Sequence, residues 1–180
     1  MTERKNKVFI ATSLDGFIAD KNGSIDYLNT IENPENNDMG YVKFIDQIDA
    51  IIMGRATYDK VLSFGIDWPY QRPVFVVSNS LKEVPEGYKD KVSIISGSPS
   101  RLLEIVHALG HGKLYIDGGQ VIQDFLKEDL IDEMTITTIP ILLGGGIPLF
   151  KDLPMEMRFQ HVMTEVFLEE IVQSSYRRKR

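Results

Sequence analysis

The chain has 180 residues, 43% of them apolar, which suits one domain built around a single sizeable core. Its 26 acidic against 20 basic residues give a net charge of −6, which argues against nucleic acid as a partner despite the basic tail Arg177-Arg178-Lys179-Arg180. The absence of cysteine excludes disulfides and thiolate chemistry, three histidines (His107, His111, His161) make a metal centre unexpected, and the lack of any long apolar run points to a cytoplasmic protein with no membrane partner.

Residues 1–7 are polar and read as a flexible N-terminus. Val8 to Thr12 reads as a buried strand that ends in the turn Ser13-Leu14-Asp15-Gly16, ahead of the apolar Phe17-Ile18-Ala19. Backbone exposed at such a break can meet a flat ring. Asp20 to Ser24 is a tight turn, and Glu32 to Asn37 a polar surface loop. From Asp38 the pattern turns helical, with Tyr41, Phe44, Ile45 and Ile48 at i, i+3, i+4 and i+7 on one buried face. Asp38 stands at the helix start, where its local role is an N-cap.

Ala50 to Met53 is a strand-like run entering Gly54-Arg55-Ala56-Thr57-Tyr58 and a second helix with Tyr58, Val61 and Leu62 on its apolar face. A helix start leaves backbone N–H groups unpaired at a positive dipole end. Gly54 lets that backbone come close to an anion, Thr57 adds a hydroxyl and Arg55 a bidentate grip. One such corner is more often plain architecture. Trp68 is expected to pack near the end of this region. Pro73 to Val77 suits a central strand, and Ser78-Asn79-Ser80 at its end offers hydroxyl and amide groups to a ribose or phosphate, or forms an ordinary turn.

Val92 to Ile95 is a further strand. Ser98-Pro99 then starts a helix that runs to Gly110, with His107 in a structural role. A second strand–Gly–helix corner follows at Lys113 to Ile116, Asp117-Gly118-Gly119-Gln120 and Val121 to Leu126. Two corners could hold the two ends of one dinucleotide. Leu130 to Ile139 is a long strand, and Leu142 to Phe150 carries three glycines followed by Pro148. With no Lys-Ser/Thr pair this is no Walker motif, and a flexible loop near a site or subunit contact is expected. Phe159 to Phe167 and Ile171 to Tyr176 form a closing antiparallel hairpin.

Five segments in this order and spacing carry a resemblance: Ala11 to Ala19, Met53 to Tyr58, Val77 to Ser80, Ile116 to Val121 and Pro140 to Phe150. From Val8 to about Tyr176 the chain resembles the dihydrofolate reductase-like superfamily, particularly the bacterial group related to the reductase domain of riboflavin biosynthesis. The resemblance implies one domain over residues 1–180, a three-layer α/β fold with a central mixed, mostly parallel sheet flanked by helices, and a C-terminal antiparallel hairpin. It also implies NADPH as cofactor. Gly54, Arg55 and Thr57 match the phosphate turn, with Arg55 and Ser78 toward the 2′-phosphate end and Asn79 among the cofactor-binding residues. Gly118, Gly119, Gln120 and Val121 match the pyrophosphate helix start, and Ala11 and Ile18 flank the nicotinamide. Asp117 is expected to turn its carboxylate away from the pyrophosphate or onto a ribose hydroxyl.

Such reductases transfer a hydride to a conjugated C=N or C=O carbon while a proton reaches the neighbouring heteroatom. By the same resemblance Asp38 is the candidate acid with a raised pKa, supported by the hydroxyl of Thr137, and Tyr41, Val42 and Ile45 line the substrate pocket. Asp26 replaces the family's tryptophan near this site. The riboflavin-pathway substrate carries a ribose phosphate, whereas Asn33 to Ile48 holds one base, Lys43. The reading is therefore reduction of a small pterin-like or pyrimidine-like heterocycle. The alternatives are 5-amino-6-(5-phosphoribosylamino)uracil reduction and a catalytically inactive nucleotide-binding protein. The Pro140 to Phe150 stretch resembles a dimer-forming region, so a homodimer is expected.

Overall fold

Runs of β-branched residues become the inner strands, and glycine-rich breaks become the points where helices leave them. The computed structural model describes residues 3–180. In chain order its elements are β1 (Lys5–Ser13), β2 (Phe17–Ala19), α1 (Tyr41–Ile45), β3 (Ala50–Gly54), α2 (Arg55–Ser63), β4 (Val74–Val77), β5 (Val92–Ile95), α3 (Pro99–Ala108), β6 (Lys113–Asp117), α4 (Gly119–Lys127), β7 (Glu133–Ile139), β8 (Ile147–Pro148), β9 (Phe159–Phe167) and β10 (Ile171–Arg178). Eight strands form one sheet in the order β5-β4-β3-β6-β1-β7-β10-β9, while β2 and β8 pair separately. The sheet is parallel from β5 to β7, and β10 runs antiparallel to both β7 and β9.

Both faces of the inner strands are covered, which is why they read as unbroken apolar runs. Ile52, Leu114 and Ile116 pack under α3 and α4 through Leu102, Val106, Ile122 and Phe125. On the other face Ile51, Met53 and Tyr115 meet Tyr58 of α2, with Tyr41 and Phe44 of α1 packed alongside. The result is the three-layer α/β architecture with a terminal antiparallel hairpin. Ser98 caps α3 by accepting the Arg101 amide at 3.4 Å, with Pro99 in the first turn. Trp68 packs against Tyr58, Tyr70 and Tyr88. No helix among the described residues is long and apolar enough to cross a membrane.

Three expectations need correction. The polar start is strand from Lys5 onward, because Lys5 to Lys7 pair with Lys113 to Tyr115 and their ammonium groups sit 3.2 and 3.1 Å from Glu133; residues 1–2 lie outside the described ones. The first helix is shorter than its apolar pattern, since Ile48 lies beyond α1 yet is buried. The glycine loop is pinned rather than free. Asp15 accepts the amides of Leu143 (3.1 Å) and Gly144 (2.8 Å), and Leu149 donates to the Gly16 carbonyl at 3.0 Å. Gly146 meets the turn so closely that a Cβ there would lie 2.1 Å from the Ala19 carbonyl oxygen.

Candidate functional site

The site lies on a seam in the sheet. β1 pairs with β6 only over Lys5 to Lys7, but with β7 from Lys7 to Ser13, so its second half parts from β6 and opens a cleft. Next to that cleft, β3 and β6 end side by side with Met53 opposite Asp117, and their helices depart to opposite faces, α2 with the Tyr58 cluster and α4 with the Phe125 cluster. Such a topological switch point is where open α/β sheets place ligands.

Neither helix start carries a side-chain cap, so both leave unpaired N–H groups at a positive dipole end. The two starts touch. A Cβ at Gly118 would lie 2.3 Å from Thr57 Oγ1 and 3.6 Å from the Gly54 nitrogen, and one at Gly54 would lie 3.2 Å from Val121 Cγ2. Gly118 has φ +87° and ψ 133°, a conformation in which glycine is nearly alone. Across the cleft, a Cβ at Gly119 would meet Ile18 Cδ1 at 2.5 Å. The structure thus brings together Ile18, Gly54, Thr57, Gly118, Gly119 and Val121, from three separate stretches of chain.

The remaining expected cofactor residues surround this point. Gly54 pairs in register with Val77, which sets Ser78 and Asn79 beside the start of α2. Arg55 is held along its own helix, its Nε donating to Asp59 at 2.7 Å in a surface pair weak enough to exchange for a better anion. Ser78 Oγ accepts the Ser80 and Leu81 amides, and Asn79 is exposed. Gln120 points along α4 to Asp124 at 3.0 Å. The Ala11 carbonyl receives the buried Tyr27 hydroxyl at 3.3 Å, and burial pushes that phenol up to about 12. A second lone pair on this carbonyl remains for a ligand.

The expected acid is not the one the structure builds. Asp38 is exposed, and its carboxylate accepts the Val42 amide (2.7 Å) and the Gly40 amide (3.0 Å), bonds that hold its pKa below the usual carboxylate value. It closes the turn that leads into α1. Thr137 is buried, and its hydroxyl accepts from Gln173 Nε2 at 2.9 Å instead of supporting Asp38. The same amide donates to the Met39 carbonyl at 2.9 Å, so Gln173 ties the start of α1 to the row Ala11, Thr137, Gln173 across β1, β7 and β10. Its signal in the sequence was a polar residue at an inward position of the Ile171 to Tyr176 alternation. Of the pocket residues, Tyr41 and Ile45 pack inward, whereas Val42 is 58% exposed.

The carboxyl that is perturbed is Asp117. Burial drives its pKa up to about 6, and the Gly118 amide, donating at 2.8 Å, offsets part of that. Strand alternation puts it on the α1 and α2 face with Tyr115, whose hydroxyl donates to the Phe9 carbonyl at 2.8 Å. Tyr41, raised to about 12, and Tyr70, also raised, feel burial first and then the field of Asp117.

Comparison with known proteins agrees with this architecture. The family model for the RibD C-terminal domain matches residues 5–173. The structure of a putative riboflavin biosynthesis protein from Shewanella sp. PV-4 superposes with a TM-score of 0.94 at 53% identity, covering 98% of this chain and 99% of that one. A diaminohydroxyphosphoribosylaminopyrimidine deaminase/5-amino-6-(5-phosphoribosylamino)uracil reductase from Thermotoga maritima gives a TM-score of 0.75 at 15% identity, over 98% of this chain and 57% of that one. Dihydrofolate reductase from Enterococcus faecalis, solved with NADP(H), shares the fold with a TM-score of 0.66 at 16% identity, over 98% of this chain and 97% of its own.

Proposed function

The chain belongs to the RibD C-terminal domain family, and on that premise we propose that it is an NADPH-dependent reductase acting on a C=N or C=O group of a small pterin-like or pyrimidine-like heterocycle. The observation that carries the reading is the meeting of two uncapped helix starts at Gly54 and Gly118, where a Cβ on Gly118 would run into the Thr57 hydroxyl at 2.3 Å. A surface made of N–H groups, a hydroxyl and glycines suits a pyrophosphate. When bound, the dinucleotide supplies the hydride. This chain's part is to hold it: the α2 and α4 amides and Thr57 at the phosphates, Gln120 and Val121 behind them, Arg55 with Ser78 and Asn79 at the 2′-phosphate, and Ile18 with the Ala11 carbonyl at the nicotinamide. NADP(H) in the Enterococcus enzyme of this fold supports that choice of cofactor.

Calorimetric titration with NADPH and NADH, on wild type and Arg55→Ala in parallel, tests the reading. NADPH is expected to bind more tightly, and Arg55→Ala to weaken it by about tenfold or more while changing NADH little. Binding of neither nucleotide overturns the proposal. A second reading, reduction of 5-amino-6-(5-phosphoribosylamino)uracil, is favoured by the name of the Thermotoga protein, and turnover of that compound at a rate above the pterins would establish it. Tight NADPH binding with no turnover of any heterocycle would instead mark a nucleotide-binding protein.

A further inference from the structure

Beyond Lys7, β1 has β7 on one side and no strand on the other, so the backbone groups that face the seam need donors from outside the ladder. Alternate residues of a strand present their backbone groups to the same side, which puts the carbonyls of Phe9 and Ala11 together on the seam. At each of them a tyrosine hydroxyl supplies the donor. Tyr115 of β6 donates to the Phe9 carbonyl at 2.8 Å, an ordinary length for such a bond. Tyr27 lies 3.3 Å from the Ala11 carbonyl oxygen and 3.2 Å from that of Phe17 in β2. Both distances are longer than an O–H···O bond prefers, and a phenol has a single hydrogen to share between the two acceptors.

The ring that carries this hydroxyl is firmly placed. Tyr27 is 5% exposed in the short helical turn Asp26–Asn29, in a cluster with Ile139 at the end of β7 and Ile171 at the start of β10. Burial raises the phenol to about 12, so it remains a donor across the neutral range. The hydroxyl thus ties the two strands that carry Ala11 and Ile18, the residues expected beside the nicotinamide. The other holds on this region act elsewhere: Asp15 accepts the amides of the glycine loop, and Ile18 meets Gly119 by packing. Because the hydrogen is shared, the Ala11 carbonyl keeps capacity for a second donor, and a donor arriving there frees the phenol to commit to Phe17.

We propose that Tyr27 is a positioning residue for the nicotinamide end of the cofactor: its hydroxyl fixes β1 against β2 and holds the Ala11 carbonyl ready to accept from the carboxamide N–H. This rests on the reductase reading, and it assigns to the segment before α1 a part in cofactor binding that neither phosphate corner supplies.

The test is calorimetric titration of wild type and Tyr27→Phe with NADPH and with 2′,5′-ADP, which keeps the 2′-phosphate end and lacks the nicotinamide. Tyr27→Phe is expected to lose roughly five- to tenfold in NADPH affinity, the worth of one hydrogen bond, and to bind 2′,5′-ADP within about twofold of wild type. Unchanged 2′,5′-ADP binding also shows that the variant is folded. In wild type labelled with carbon-13 at the tyrosine Cζ, NADPH should shift the Tyr27 resonance and 2′,5′-ADP should not, and this decides the matter if Tyr27→Phe does not fold. An NADPH affinity unchanged in Tyr27→Phe, an equal loss for both ligands, or a Tyr27 resonance indifferent to NADPH overturns the proposal and leaves the reductase reading standing. Failure of wild type to bind either ligand overturns that reading, and this proposal with it.

Discussion

A carboxyl whose pKa rises on folding destabilises the folded state wherever it must ionise, and Asp117 therefore makes a prediction that needs no ligand. Its value goes from 3.8 to about 6, so between those limits the native state binds more protons than the unfolded one. Stability is unaffected below about pH 4, falls as pH rises through the window, and carries the whole penalty above pH 6. Asp117→Asn is expected to be more stable than wild type at pH 8 by roughly 1–3 kcal/mol and equal to it at pH 4, read from denaturant midpoints. An equal gain at both pH values would place the effect in packing instead. A site that keeps a destabilising group is a familiar sign of function. The charge conflict at Asp117 was legible in the sequence, but its resolution was not, because the burial that raises its pKa arises only through the fold. The reverse holds for Asp38, whose local pattern placed it at the helix start: the N-cap is Gly40, and Asp38 closes the preceding turn by accepting the Gly40 and Val42 amides.

At the level of elements, the two strand–Gly–helix corners were legible because each is written in one short stretch, with the strand, the glycine and the helix face in sequence order. Their contact was legible only through resemblance, since nothing local says that Gly118 must clear Thr57. This contact separates two adjacent glycines. Gly118→Ala forces an L side chain into φ +87° and ψ 133° and sets its Cβ 2.3 Å from the Thr57 hydroxyl, so a destabilisation of roughly 1–3 kcal/mol and a loss of NADPH binding are expected. Gly119→Ala sits at the first residue of α4, in backbone that an L residue adopts without strain, and the atom it meets is the flexible end of Ile18. Its stability should stay within about 1 kcal/mol of wild type, with a smaller fall in NADPH affinity because Ile18 must shift. Chemical denaturation and calorimetry on the two variants check this order, and equal behaviour would mean that the two helix starts do not meet as described. The first helix was less legible: Tyr41, Phe44 and Ile45 are partly buried against the cluster that holds Ile48, yet the helix ends at Ile45 and the chain carries Ile48 into the core without it.

On the scale of the whole molecule, the cleft exists because β1 belongs to two partners that part company after Lys7, and the turn after β1 must therefore be held from outside the sheet. Asp15 does this. It receives the Ser13 hydroxyl at 2.6 Å and the Leu143 and Gly144 amides, and it lies below the ordinary carboxylate pKa because all three donate to it. The bonded loop in turn supplies β8, the partner of β2, and β2 carries Ile18 to its contact with Gly119. A change at Asp15 should thus reach the proposed cofactor site through three steps of packing, from Asp15 to the loop, to β2 and to Ile18 at Gly119. Asp15→Ala is expected to speed amide hydrogen exchange at Leu143, Gly144 and Leu149 and to weaken NADPH binding by several-fold, while exchange in the β9–β10 hairpin stays as in wild type. In the wild type, NADPH should slow exchange from Phe17 to Ala19 as well as at the two helix starts, because in the proposed reading one ligand spans both sides of the seam. If NADPH protects the α2 and α4 starts alone and Asp15→Ala leaves its affinity intact, the turn is architecture, and the nicotinamide is held without the loop from Leu142 to Phe150.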